Sequence, residues 1–248
     1  MLARACWKCG EAVASAGLVR AGVPGVPFKL VAFFVSGELL AWAKANRCPW
    51  RARVCALAAQ HGQVEALQWA WELDCPWDER TCFSAARHGH LQALEWAREH
   101  GCPWDERVCQ GAAMGGHLNV LQWARVHDCS WDRSVCEYAA HGGHLEMLQW
   151  ARENGCSCPS RVHLSAIAAG IGHVEILTWL REQGCPLYER LCFEAATYGR
   201  LEALMWLREH GCPAVLVECI DRATQCDHNE VVEWLGQFTA DTWHTTTN

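Results

Sequence analysis

Seventeen cysteines and thirteen histidines in a chain of 248 residues are the first candidates for chemistry. Thiolates and imidazoles bind zinc, exchange disulfides or form nucleophile–base pairs, but each use demands its own spacing. A tetrahedral zinc site wants a close pair such as C-x-x-C with a second pair at a matching distance. Cys6-x-x-Cys9 has the first half of that arrangement, and one pair does not complete it. Most of the other cysteines recur at intervals of seven, then twenty. His88/His90 and His141/His144 are close neighbours, yet no H-E-x-x-H occurs. The phosphate-cradling glycine patterns and the G-x-S-x-G elbow are absent too. A catalytic His/Cys pair would be one odd site breaking a regular pattern, and none stands out. The chain reads as non-catalytic, with no cofactor and no metal site.

Composition sets outer bounds. With 51% hydrophobic and 20% charged residues, the chain is too apolar for disorder. The net charge of -7 is unevenly spread. Residues 1–50 hold six Lys/Arg against two Asp/Glu, and the remainder fifteen against twenty-six. An acidic body argues against nucleic acid, whose phosphates need clustered Lys and Arg. Arg20, Lys29, Pro24 and Pro27 interrupt the most apolar stretch, 12–35, so no membrane span is expected. No secretory h-region and no N-x-[S/T] acceptor is present, and an odd cysteine count forbids complete pairing. A reducing compartment follows: cytoplasm, with the nucleus as alternative. The acidic-poor start, with Arg4, Lys8 and Arg20, leaves an organelle transit peptide open.

What positions these residues is an internal repeat. Cys-Pro-Trp recurs at 48–50, 75–77 and 102–104, then Cys-Ser-Trp at 129–131. The loop cysteine continues at Cys156, Cys185 and Cys212, with spacings of 27 residues and one of 29. The longer step is a two-residue insertion near Ser157–Ser160. A second cysteine follows seven residues after each loop (Cys55, Cys82, Cys109, Cys136, Cys192, Cys219), with Ser165 in the inserted repeat. Trp42, Trp69, Trp96, Trp123, Trp150, Trp179 and Trp206 keep the same register. Thirteen of the seventeen cysteines thus belong to one pattern.

In the repeat 77–103, Asp78 is a helix N-cap, and Glu79 suits the positive end of the helix dipole. Cys82, Ala85 and Ala86 make a narrow apolar stripe at i, i+3, i+4, and Gly89 ends that helix. Leu91, Leu94 and Ala97 form the apolar face of a second helix, closed by Gly101 before Cys102-Pro103. Neither helix is long enough to stand alone in water, so stacked hairpins must share a core. The residues A-A-x-x-G-H-L-x-x-L-x-W-x-R-E-x-G-C-P resemble the ankyrin repeat, aligning without gaps at Ala85-Ala86, Gly89-His90, Leu94, Trp96 and Gly101. The likeness runs over about residues 27–238 and is nearest to short Trp- and Cys-rich ankyrin-like repeats. It implies an all-α solenoid of stacked helix-turn-helix repeats. About six residues are missing against the usual 33, where ankyrins carry a β-hairpin finger.

The expected organisation is an irregular segment with linker at 1–27 and a repeat array at 28–238. The array comprises a degenerate repeat 28–49, repeats 50–76, 77–103, 104–130, 131–159, 160–186 and 187–213, and a cap 214–238. Asp221, Gln225, Asp227 and Asn229 give that cap a wet face, and 239–248 reads as a polar tail. The thiols read as small buried core groups, because equivalent cysteines on helices about 8–10 Å apart exceed disulfide reach. The tryptophan stripe reads as core. The loop tryptophans Trp50, Trp77, Trp104 and Trp131 read as mutually stacked or partly exposed. The histidines of the Gly-His position read as structural.

Binding should live where the repeat varies within this chain. The two residues after each Ala pair change freely: Gln60-His61, Arg87-His88, Met114-Gly115, His141-Gly142, Gly170-Ile171, Thr197-Tyr198. In ankyrin repeats, which these resemble, the matching positions line the concave binding face. Glu79, Glu106, Arg133 and Glu189, just before the first helices, are expected to border the same surface. The resemblance implies a monomeric module that binds a protein partner. Two alternatives stand beside it: a substrate-recognition adaptor of a ubiquitin ligase, and a thiol-rich metal or redox protein.

Overall fold

The computed structural model describes residues 52–243. Cys6, Cys9, Trp42, Cys48, Trp50, the segment 1–27 and the repeat 28–49 lie outside the described residues. Among the described residues every regular element is a helix and none is a strand. The chain divides into two compact units at Trp131/Asp132.

The first unit holds three hairpins: α1 (Arg53–Gln60) with α2 (Val64–Glu72), α3 (Glu79–Arg87) with α4 (Leu91–Glu99), and α5 (Arg107–Gly115) with α6 (Leu118–Val126). The second holds α7 (Ser134–Gly142) with α8 (Leu145–Glu153), α9 (Arg161–Ile171) with α10 (Val174–Glu182), α11 (Glu189–Thr197) with α12 (Leu201–Glu209), and α13 (Leu216–Gln225) with α14 (Asn229–Leu235). A last turn, α15 (Ala240–Trp243), follows. Six or seven residues join one hairpin to the next, too few for the ankyrin finger.

Local chemistry explains the hairpin. The Asp78 side chain accepts the backbone N–H of Arg80 at 3.1 Å, satisfying an orphan donor at the start of α3. Cys82, Ala85 and Ala86 are fully buried, as are Ala93, Leu94 and Ala97 of α4. Small residues let the first helices pack directly on one another, α1 on α3 on α5, and α7 on α9 on α11 on α13. The approach is tight: a Cβ added at Gly111 of α5 would meet the Phe83 ring of α3 at 3.1 Å. The inserted repeat absorbs its two extra residues as helix. α9 has 11 residues where α7 and α11 have 9, and the Ser160 hydroxyl caps it by accepting the His163 N–H at 3.2 Å.

Two expectations change. The tryptophan stripe is not core: among the described residues Trp69, Trp96, Trp123, Trp150 and Trp179 are half-buried, and Trp206 alone of the series is buried. Alanines and leucines already fill the space between the helix layers, so the indoles lie over its edge. There Trp96 stacks on His100 and Trp123 on His127, centroids 4.1 Å apart, while Trp77 and Trp104 meet them edge-on at 5.9 and 5.8 Å. Arg98 lies over Trp104 at 4.2 Å, and Arg125 over Trp131 at 4.4 Å. The polar tail is also shorter than expected. Thr239 and Thr242 cap one another, and the Trp243 indole, 1% exposed, donates to the Cys212 carbonyl at 2.8 Å.

Candidate functional site

Among the described residues, α4, α10 and α14 open on a histidine, and α12 on Arg200, that reaches back to the preceding hairpin. His90 Nε2 donates to the Gln60 carbonyl at 3.1 Å, His173 Nε2 to His141 at 2.9 Å, and His228 Nε2 to Thr197 at 3.1 Å. A carbonyl only accepts, so Nε2 carries the proton in each ring. Arg200 Nε does the same for Gly170 at 3.2 Å. These groups satisfy carbonyls at the C-terminal ends of first helices, which have no intrahelical donor. The Gly-His histidines are inter-hairpin clips, and their acceptors belong to the very residues that vary from repeat to repeat.

The side chains of those residues point outward. His61, Arg87, His88, Met114, His141 and Tyr198 are exposed, and Gln60 and Thr197 are half-buried. Glu79, Glu106, Arg133 and Glu189 are also on the surface, but at the opposite ends of the same helices, about 12 Å away for an eight-residue helix. Glu79 pairs with Arg107 of the next hairpin at 3.0 Å, and Arg133 with Glu137 at 3.5 Å. Two rims, not one ridge, are therefore present.

In the second unit a groove of about 460 Å³ connects them. Val162, Ala166 and Gly170 of α9, four residues apart, form its floor. Arg190, Glu194 and Tyr198, the matching stripe on α11 and its C-cap, form one wall, and His141 closes the end. The Tyr198 ring rests on Gly170, where an added Cβ would meet it at 3.2 Å. Tyr188 donates to the Val162 carbonyl at 2.8 Å, and Arg190 pairs with Glu194 at 3.0 Å. Sequence reading found His141, Gly170, Ile171 and Tyr198 but missed Val162, His163, Tyr188, Arg190 and Glu194. The four-residue stripe on the first helices was the available signal. The groove is open, so it offers an edge and a floor rather than an enclosure for a small molecule.

The thiols are closer than expected. In four hairpins the first-helix cysteine meets the loop cysteine twenty residues on. Cys55 hydrogen-bonds Cys75, Cys82 bonds Cys102, Cys109 bonds Cys129, and Cys192 bonds Cys212. The bond to Cys102, then burial, pushes the Cys82 thiol far up, so that Cys102 gives its proton up first. In the inserted repeat Cys185 Sγ faces the Ser165 hydroxyl at 3.7 Å instead. Cys136 should meet Cys156 in this scheme, but it is disulfide-bonded to Cys158, Cα–Cα 5.4 Å, a residue outside the repeat pattern. Among the described residues the free thiols are buried as expected, except half-buried Cys226, and in four hairpins the loop sets a second sulfur beside the first.

No protein-family model matches the chain, and no curated protein matches it in sequence. Among solved structures it is similar to the human ASB11 ankyrin repeat domain, at 16% identity and a TM-score of 0.54. The match covers 73% of this chain and 96% of that one. Identity this low speaks for the fold alone. Among the described residues, the fold of each unit is an all-α stack of ankyrin-like helical hairpins without long fingers. No helix among the described residues is long and apolar enough to cross a membrane.

Proposed function

We propose that this chain is a non-catalytic, monomeric interaction module that holds a protein segment along the first-helix face. The observation that carries the reading is the groove over α9. Its end and wall are His141 and Tyr198, two positions that vary while the scaffold beneath them repeats. The backbone there is tied down by clips, so the side chains are presented from a fixed frame, and less is lost on ordering them. Tyrosine, histidine and arginine around an open floor suit a polypeptide, with Tyr198 as aromatic anchor. Within unit one, Gln60, His61, Arg87, His88 and Met114 hold the equivalent repeat positions. Glu79, Glu106, Arg133, Glu189 and Thr197 complete the rims. The site is proposed as cytoplasmic or nuclear, consistent with a thiol-rich chain. The ligase-adaptor alternative draws on residues 1–50, which lie outside the described residues.

The test compares affinity capture from native extract by wild type and by the double variant His141→Ala/Tyr198→Ala. Both side chains are exposed, so the variant keeps the wild-type circular dichroism and melting curve. Loss of a specific protein partner from the variant alone supports the groove. A partner held equally by both overturns it.

A further inference from the structure

The inserted repeat contains a cluster that the groove does not use. Cys136, Cys156 and Cys158 place their three sulfurs within 4.8 Å of one another. Cys136 comes from α7 and is fully buried, Cys156 is 8% exposed, and Cys158 is half-buried and open to solvent. The origin of the third sulfur is visible in the register. Cys156-Ser157-Cys158 stands where the preceding loop has Cys129-Ser130-Trp131, so a thiol replaces the loop indole. The turn is tight, with the Cys158 N–H on the Cys156 carbonyl at 2.7 Å, and this directs both loop sulfurs toward α7.

A second observation is electrostatic. Arg98 donates to the Cys102 carbonyl at 2.8 Å and Arg125 to that of Cys129, each then lying over the loop tryptophan that follows. Arg152 is their counterpart, four residues before Cys156. With no loop indole to cover, it lies over Trp179 at 5.3 Å, and its Nη1 is buried with no hydrogen-bond partner. This hairpin therefore combines three sulfurs with a half-buried arginine whose Nη1 is buried and has an N–H to spare.

We infer that, in the reduced protein, Cys136, Cys156 and Cys158 form a thiolate site for a zinc-type dication. Three thiolates on a divalent ion carry one net negative charge, and Arg152 stands on the same hairpin, four residues before Cys156. Soft sulfur donors and tetrahedral preference select such an ion over magnesium or calcium, and solvent at Cys158 supplies the fourth position. The disulfide is the other state of the same site. Hydrogen peroxide oxidises the Cys136 and Cys158 thiolates to the S–S bond. Its O–O bond takes the two electrons and, with two protons, leaves as two waters. The metal loses two of its three sulfurs and departs, and Cys156 takes up a proton. Neither the repeat's ordinary thiol pairs nor the groove takes part, so the inference stands apart from the proposed function.

The experiment titrates the reduced full chain with Co²⁺, then with Zn²⁺. A sulfur-to-cobalt charge-transfer band saturating at one equivalent, bleached by Zn²⁺ and absent in Cys158→Ser, is the expected result. Cys158 is half-exposed in a loop, and circular dichroism checks that the variant folds. Wild type oxidised with hydrogen peroxide serves as a second comparison with an unaltered sequence. It shows no band until a thiol reductant restores it. No band in reduced wild type, an unchanged band in Cys158→Ser, or full binding by the oxidised chain each overturns the inference.

Discussion

The histidine clip makes a prediction that separates two costs usually mixed in one substitution. Gly62 and Gly101 both have positive φ, +66° and +80°. Alanine at either position incurs the left-handed backbone penalty, about 1–2 kcal/mol. They differ in what a Cβ meets. At Gly101 nothing lies within 4 Å, whereas at Gly62 the His90 ring is 2.5 Å away. Gly62→Ala must therefore displace the ring that donates to the Gln60 carbonyl at 3.1 Å. Orphaning that carbonyl adds about 1–3 kcal/mol. Gly101→Ala should thus destabilise by about 1–2 kcal/mol and Gly62→Ala by about 2–5 kcal/mol. Urea unfolding followed by tryptophan fluorescence measures both. In a His90→Ala background the excess at Gly62 should vanish, because the ring it collides with is gone. Equal costs for the two alanines, or an excess that persists without His90, would refute the clip.

Further outcomes follow from the same geometry. Trp123→Ala removes a half-buried ring stacked on His127 and should cost about 2–3 kcal/mol, below the range for a fully buried indole, while exposed Arg87→Ala stays within about 0.5 kcal/mol. Trp243→Phe keeps the buried ring's bulk but leaves the Cys212 carbonyl without its indole donor, a loss of about 1–3 kcal/mol readable in the same unfolding curves. Burial pushes the Cys219 thiol from 9.0 up to about 11. The folded state therefore holds a proton that the unfolded chain releases first. Stability from this thiol is complete below pH 9 and falls as pH rises toward 11, so the melting temperature should drop over that window, and less so in Cys219→Ala.

Much of the hairpin was legible because its signals are local. Asp78 announces its cap, Cys82, Ala85 and Ala86 their shared face, and Gly89 its reversal, all within a dozen residues. The groove was half legible: variation between repeats marks His141 and Tyr198. Arg190 and Glu194 join them only once α11 lies beside α9. The indoles misled, since hydrophobicity does not distinguish a core ring from one stacked under histidine and arginine at the layer's edge. The cysteine cluster was hidden for another reason. Cys158 reads as a stray residue of an insertion until the chain folds back over twenty-two positions and sets it against Cys136. Trp243 was lost in a run of threonines whose mutual capping no periodicity marks.

The clips all point one way. A later hairpin's histidine grips an earlier hairpin's carbonyl, at His90, His173 and His228 alike. During synthesis a hairpin is therefore latched only when its successor emerges, and the latch arrives with the newcomer. A duplicated hairpin brings its own latch and finds the carbonyl it needs already waiting on any predecessor. Such an array lengthens or shortens by whole hairpins without redesign of its joints, and chemical novelty collects where one copy, like that of Cys158, falls out of step.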